Sequence, residues 1–354
     1  MPSKGKKWTK GKLIKILLFT GLLIGTLAIA SRYYNRIKGA NIQLPQAQAD
    51  FFIGRSDDAA TVLKNLNAKG WIKNQESLKW LANEKNYQGK NVVPGKYILH
   101  DGMSNNELIN HLRAGNGLVD VKVQFNQLRT IPELAGRLSK NIEADSVELV
   151  NWLQNSDSLK KYGFNTATIT AMFIPNTYHV NWSISTSQLM QRMAKEFTEF
   201  WTVNRLGKAR AMGLSQSEVV TLASIVYWET KKEADMPKVA GVYVNRLKRG
   251  MPLQADPTLI FALGDFSIKR VLNKDKQVDS PYNTYKYKGL PPGPIIIPPS
   301  RYVDAVLNYT QHNYIFFVAK EDLSGDSYFS STYAQHKAYA RRYQRALNKM
   351  GVRR

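Results

Sequence analysis

Apolar positions along this chain fall into two regimes. From Ile16 to Ala30 the run is unbroken and uncharged. Leu13, Ile14 and a Lys15 whose stem can lie along apolar surface lengthen it to about twenty residues, ending at Tyr33 and Tyr34, enough to cross a bilayer as a helix. Beyond it the pattern breaks into short periodic segments. Residues 36–49 read as a polar spacer with Pro45, 50–54 as a strand and 57–69 as a helix with Ser56 or Asp57 as N-cap and Gly70 as stop. Further helices are expected at 71–85 and, behind Ser104, at 105–113, with a strand at 95–99 between them. A strand at 119–125 and helices at 131–139 and 146–155 follow. Phe173-Ile-Pro-Asn-Thr-Tyr178 reads as a turn. Helices are expected at 187–203, 215–230, 237–248 (stopped by Gly250) and 333–350, with a buried strand at 314–319. The alternation of strands and helices predicts an α+β fold. The expected organisation is a tail 1–12, a single transmembrane helix 13–34, a spacer 35–48, a small α+β module 49–118, a connecting segment 119–160 and a mixed α+β domain 161–354.

One residue interrupts the pattern. The segment 215–230 reads as an amphipathic helix opened by an S-x-x-E capping box, Ser215 and Glu218. Leu222, Ile225 and Val226 mark its apolar stripe. Glu229 lies seven, four and three residues after them and continues that stripe. Desolvation disfavours a carboxylate, so a Glu there has a raised pKa and can hold a proton near neutral pH, as a general acid must. The alternative is a Glu at the rim of the stripe, ion-paired to a nearby cation.

Charge adds direction to the first helix. The chain carries a net charge of +23. Nine basic residues precede Asp50, its first acid. Lys4, Lys6, Lys7, Lys10, Lys12 and Lys15 precede or enter the apolar run, and Arg32, Arg36 and Lys38 follow it, so the N-terminus is expected in the cytoplasm. A cleaved signal peptide is the rival, since Ala28-Ile29-Ala30 resembles a cleavage site; Arg32 just beyond it favours an uncleaved anchor. The remaining Lys and Arg are thinly spread without a nucleic-acid-binding signature, so nucleic acid is not expected as a partner. There is no cysteine, which excludes thiolate metal sites, a Cys nucleophile and disulfides. The five histidines are scattered, and neither a metal nor an organic cofactor is expected.

Three motifs follow one another in the second half: Ala223-Ser-Ile-Val-Tyr-Trp-Glu-Thr230, then Leu253-Gln-Ala-Asp-Pro-Thr258, then Tyr282-Asn-Thr-Tyr285 with Gly289-Leu-Pro-Pro-Gly-Pro-Ile295. In this order and spacing the chain resembles the MltG (YceG-like) family of membrane-anchored endolytic murein transglycosylases. The resemblance runs over essentially the whole chain, strongest from about Phe173 and weak before Asn91. It implies that the module 49–118 is LysM-like, the alternative being a spacer domain that only sets distance from the membrane, and that 161–354 is the catalytic domain. It maps the family's catalytic Glu onto Glu229. A second Glu, often found two residues earlier in the family, is Tyr227 here.

The chemistry so implied is endolytic cleavage of the MurNAc–GlcNAc bond in nascent peptidoglycan glycan strands, leaving 1,6-anhydro-MurNAc ends. One carboxyl suffices for it, as acid to the glycosidic oxygen and then as base to the C6 hydroxyl. Gln254, Asp256, Tyr282, Asn283, Tyr285 and Tyr178 are candidate substrate contacts. Asp256 before Pro257 also reads as a helix N-cap, the reading favoured here, and each tyrosine as an ordinary packing residue. The resemblance further implies an inner-membrane location with the catalytic domain outside, periplasmic in a Gram-negative cell, and glycan-polymerising synthases as partners. Hydrolysis by a muramidase and a non-catalytic peptidoglycan-binding scaffold are the alternatives.

Overall fold

The computed structural model describes residues 10–268, 270–322 and 324–349. Lys4, Lys6 and Lys7 of the expected basic tail, and Met350 at the expected end of the last helix, lie outside the described residues. Two compact units are present. One ends at Val121 and also takes in Val180–Ser183; the other is built from Lys122–His179 and from Ile184 onward.

In the first unit, α1 (Lys10–Lys38) has a mean hydropathy of 2.3 over its apolar window and buries none of it. Among the described residues it is the one helix long and apolar enough to cross a membrane. It continues past the expected end at Tyr34 because its last turn has a surface to pack on. Tyr33 meets Trp80 edge-on at 5.6 Å, and the Arg36 guanidinium lies 4.3 Å from the Trp80 ring centre. Asn105 Nδ2 also donates to the Arg36 carbonyl at 3.0 Å.

The expected spacer is part of the fold. Ala40 bridges Ser104, Ile42 bridges Ile72, and Ile42 and Leu44, two apart on one face of an extended segment, are buried. Behind them β1 (Gln48–Ile53) pairs antiparallel with β2 (Gly95–His100), Phe51 opposite Tyr97. Period-two alternation turns Phe51, Ile53, Tyr97 and Leu99 inward. Three helices, α2 (Ala59–Ala68), α3 (Gln75–Glu84) and α4 (Asn105–Ala114), complete the core with Val62, Leu66, Leu78 and Leu108. Asp58, not Ser56 or Asp57, caps α2, and Asn74 delays α3 to Gln75.

The segment expected to connect the domains divides at Val121, and its larger part packs in the second unit. There β3 (Val121–Phe125) is followed by α5 (Ile131–Leu138), α6 (Ser146–Gln154) and α7 (Ser156–Lys160). Tyr178 belongs to a strand, β4 (Asn176–Val180), which pairs with β3. The helix expected at 187–203 is two: α8 (Thr186–Phe200) and α9 (Val203–Ala211), because Thr202 caps a new start by accepting from Arg205 N–H.

The centre of this unit is α10 (Gln216–Glu229), opened by the Ser215–Glu218 capping box. It is not amphipathic: every residue from Val219 to Tyr227 is buried. Two helices, α11 (Met236–Lys248) and α13 (Ser300–Leu307), pack against it. Between them in sequence lie α12 (Asp256–Leu263) and a Pro- and Gly-rich loop. A side chain at Gly293 would put its Cβ 1.9 Å from the Ala167 carbonyl oxygen, so only glycine fits there. Finally β5 (Phe316–Ala319) and β6 (Ser327–Ser330) form a hairpin against α14 (Tyr333–Lys349).

Candidate active site

The last residue of α10 is Glu229, and it opens into a cleft of about 320 Å³. The facing wall comes from α11. Tyr243 and Arg246, three residues apart, share one helical face and both line the cleft. The Tyr243 hydroxyl donates to Glu229 Oε1 at 2.8 Å. Arg246 is 8 % exposed and is held by carbonyls, with Nε donating to Ile315 at 2.7 Å and Nη1 to Leu253 at 2.8 Å. It has no carboxylate partner among the described residues and so leaves Glu229 free of an ion pair.

Part of the Glu229 surface faces the cleft, while protein encloses its carboxyl closely enough for burial to dominate. Burial raises its pKa to about 7. The Tyr243 hydrogen bond and the Arg246 charge oppose the rise, and the Asp256 charge adds to it. The rim-and-ion-pair alternative for Glu229 is thereby replaced by a desolvated, protonatable acid. Burial, then the Glu229 charge, raises the Tyr243 phenol well above its ordinary range, so it stays a donor. Among the described residues no group of three or more His, Asp or Glu is gathered as metal ligands.

Opposite Glu229 two loops are joined along their length. Gln254 N–H donates to the Thr284 carbonyl at 3.0 Å, Ala255 N–H to Thr284 Oγ1 at 3.0 Å, and the Thr258 and Thr284 hydroxyls lie 2.8 Å apart. Gln254 takes a left-handed φ of 53°, and its Oε1 lies 3.4 Å from Arg246 Nη1. Gln254, Asp256 and Tyr285 line the cleft with Glu229.

Asp256 is not the N-cap. Ala255 holds that position, and Asp256 is the first helical residue, its Oδ1 accepting from the Tyr285 hydroxyl at 2.5 Å. Pro257 takes the second helical position, which shifts the cap one residue earlier than the Asp-Pro pair suggests.

The other three candidates lie elsewhere. Asn283 is fully buried and staples its own loop, donating to Lys276 and Val278 carbonyls and accepting from Tyr285 N–H at 3.0 Å. Tyr282 packs on Phe261, ring centres 4.7 Å apart. Tyr178 is buried, stacked on Phe125 at 5.6 Å, with its hydroxyl donating to the Ile174 carbonyl. None of the three lines the Glu229 cleft.

The YceG-like family profile matches residues 51–342. The chain belongs to the YceG-like family. It is 28% identical over 304 residues to an endolytic murein transglycosylase of Bacillus subtilis strain 168, covering 82% of each chain. It is 26% identical over 310 residues to the endolytic murein transglycosylase of Streptococcus pneumoniae strain D39, where the match takes in 77% of this chain and 54% of the relative. The chain thus spans about half the length of that streptococcal relative. A crystal structure of a yceG-like protein from Listeria monocytogenes shares the fold, with a TM-score of 0.53 and 24% identity, over 82% of this chain and 98% of the other.

Several cleft residues of this YceG-like chain have no sequence signal as strong as the Glu229 stripe. Tyr243 and Arg246 sit in a helix with ordinary core periodicity. The one hint was a charged residue, Arg246, between the apolar positions Val242 and Val244 and the helix end. Phe316, Phe317, Tyr333 and His336 reach the cleft from the hairpin and α14. His336 stacks on Phe316 at 5.0 Å, and its Nδ1 is buried without a partner. Burial, then the Arg246 charge, lowers its pKa.

Proposed function

We propose that this chain is an endolytic lytic transglycosylase of peptidoglycan glycan strands, with Glu229 as its single acid and base. The observation that carries the reading is a desolvated carboxyl with a pKa of about 7 at the wall of an open cleft, hydrogen-bonded at Oε1 and, among the described residues, without a partner at Oε2. Protonated Glu229 gives its proton to the MurNAc–GlcNAc oxygen as the C1–O bond breaks. The resulting carboxylate takes the proton of the muramic C6 hydroxyl, whose oxygen closes on C1 to leave a 1,6-anhydro end. Tyr243 steadies the carboxylate through its hydrogen bond, and no water enters the product. The names of the relatives support peptidoglycan as substrate.

The same reading takes α1 as an uncleaved single-pass anchor, the first unit as a LysM-like glycan-binding module and glycan-polymerising synthases as partners, so that cleavage terminates strand elongation in cell-wall synthesis. One observation favours a second reading. Asp256 is a carboxylate in the same cleft and is not engaged as a cap, which is what a two-carboxylate muramidase needs. Mass spectrometry of products from purified glycan separates the two. Anhydro-MurNAc ends are expected; reducing ends would establish the hydrolase.

A further inference from the structure

Two cations share one indole beside the catalytic helix end. The Arg129 guanidinium carbon lies 4.8 Å from the Trp228 ring centre and 4.4 Å from that of Phe266. Lys231 Nζ lies 5.3 Å from the same Trp228 ring and 3.1 Å from that of Tyr227. Arg301 is a third cation close by: its guanidinium carbon lies 5.4 Å from the Tyr302 ring centre, and that ring meets Tyr227 edge-on at 5.1 Å. Partial burial and then the Arg301 charge lower the Lys231 amine to about 8.

No acid balances them. Among the described residues none of the three makes an ion pair. Glu133, the acid nearest to Arg129 in sequence, accepts instead from the Arg129 backbone N–H at 2.7 Å. Gathering like charges without a counter-charge opposes folding, and a surface of one sign raises the local concentration of the opposite ion. An arginine held over an aromatic ring keeps its planar fork pre-organised for a carboxylate.

The position is next to the chemistry. Trp228, 39% exposed, precedes Glu229. Pro257, which lines an apolar recess with Arg129, Trp228 and Phe266, follows Asp256 of the cleft. We propose that Arg129, Lys231 and Arg301 form a subsite for a carboxylate on the peptide branch of the muramic acid at the cleavage site. This rests on the transglycosylase reading above. It makes the enzyme selective for glycan that still carries an acidic peptide.

The test uses full-length protein and three glycans: one with free peptide carboxylates, one with those carboxylates converted to amides, and one stripped of peptide so that only the lactyl carboxylate remains. The wild type is expected to favour the free acid over the amide by about tenfold or more in kcat/KM, the scale of one charge-assisted hydrogen bond. The double variant Arg129→Gln/Arg301→Gln should bring that ratio close to one, while Arg301→Lys, which keeps the charge, retains it. Melting curves confirm that each variant is folded. A wild type indifferent to amidation, or a folded double variant that keeps the preference, overturns the subsite. A charge-dependent preference for the stripped glycan assigns the site to the lactyl carboxylate and overturns the peptide assignment. If the wild type cleaves no glycan at all, the enzymatic reading fails, and pull-down of the free-acid and amidated glycans by wild type and double variant decides the subsite independently.

Discussion

The Glu229 carboxyl keeps its proton up to about pH 7 because protein replaces the water that would solvate its charge. Glu229→Gln preserves the shape and the Tyr243 hydrogen-bond acceptor but has no proton to give, so cleavage is expected to fall by about 10² or more while far-UV circular dichroism is unchanged. Near wild-type turnover would remove Glu229 from the mechanism. The same burial has a cost in stability with a definite sign. The folded carboxyl binds its proton more tightly than the unfolded one, whose pKa is 4.5, so the folded state holds more protons between pH 4.5 and about 7. The Glu229 contribution to stability therefore falls as pH rises through that window and is constant above it. Relative to wild type, Glu229→Gln should gain stability over the same window, by up to about 3 kcal/mol, read as a widening difference in melting temperature. Tyr243→Phe removes a hydrogen bond that favours the charged form, so the alkaline limb of the kcat/KM profile should move upward in pH. An unmoved limb would show that the limb does not report Glu229. At this scale the sequence was legible through a single anomaly: an acid continuing an apolar stripe. Tyr243 and Arg246 left no such anomaly, since a tyrosine and an arginine near the end of a core helix are compatible with packing alone.

Between elements, the site depends on how loops are tied to α10. Ser224, fully buried in that helix, accepts from the Ile295 N–H at 3.1 Å, and Ile297 N–H donates to Leu128 at 2.8 Å. Ser224→Ala leaves the Ile295 donor buried without a partner and is expected to cost about 1–3 kcal/mol in chemical denaturation. An effect within error would mean that the loop holds without this tie. Asp256→Asn keeps an acceptor for the Tyr285 hydroxyl, so the folded variant should retain substantial activity with anhydro-ended products. Complete loss in a folded protein would favour the two-carboxylate hydrolase. Caps and strand alternation made many elements readable: Ser104 and Ser215 open their helices as capping boxes, and β1 and β2 alternate as their residues suggest. Other readings failed for local reasons. Pro257 drew the expected cap onto Asp256, and Thr202 divides a helix that periodicity ran together. The spacing of Leu222, Ile225 and Val226 predicts an amphipathic α10, yet the polar Thr221 and Ser224 are buried as well, with their hydroxyls on backbone partners inside the core.

For the whole molecule, α1 is the element on which an anchored or a released chain turns. A reporter active only outside the cytoplasm, fused after Arg354, should be active, and the full-length chain should stay with the membrane fraction. A soluble chain beginning near Ser31 would instead identify a cleaved signal peptide. The apolar run, the α+β class, the motif order and Glu229 as an acid out of pattern were all determined by the sequence alone, because each depends on residues close together in the chain. The tertiary structure alone decided which groups meet. It bonded Tyr243 to Glu229 and brought Arg246 to the same cleft, turned Asp256 from a cap into a cleft residue, and set Tyr178, Tyr282 and Asn283 in packing contacts outside that cleft. It also brought Arg129 and Lys231 onto one indole, although they are distant in the chain. Periodicity reports which face of an element is buried; it carries no information about what that face is buried against, and a carboxyl's pKa is set by those neighbours.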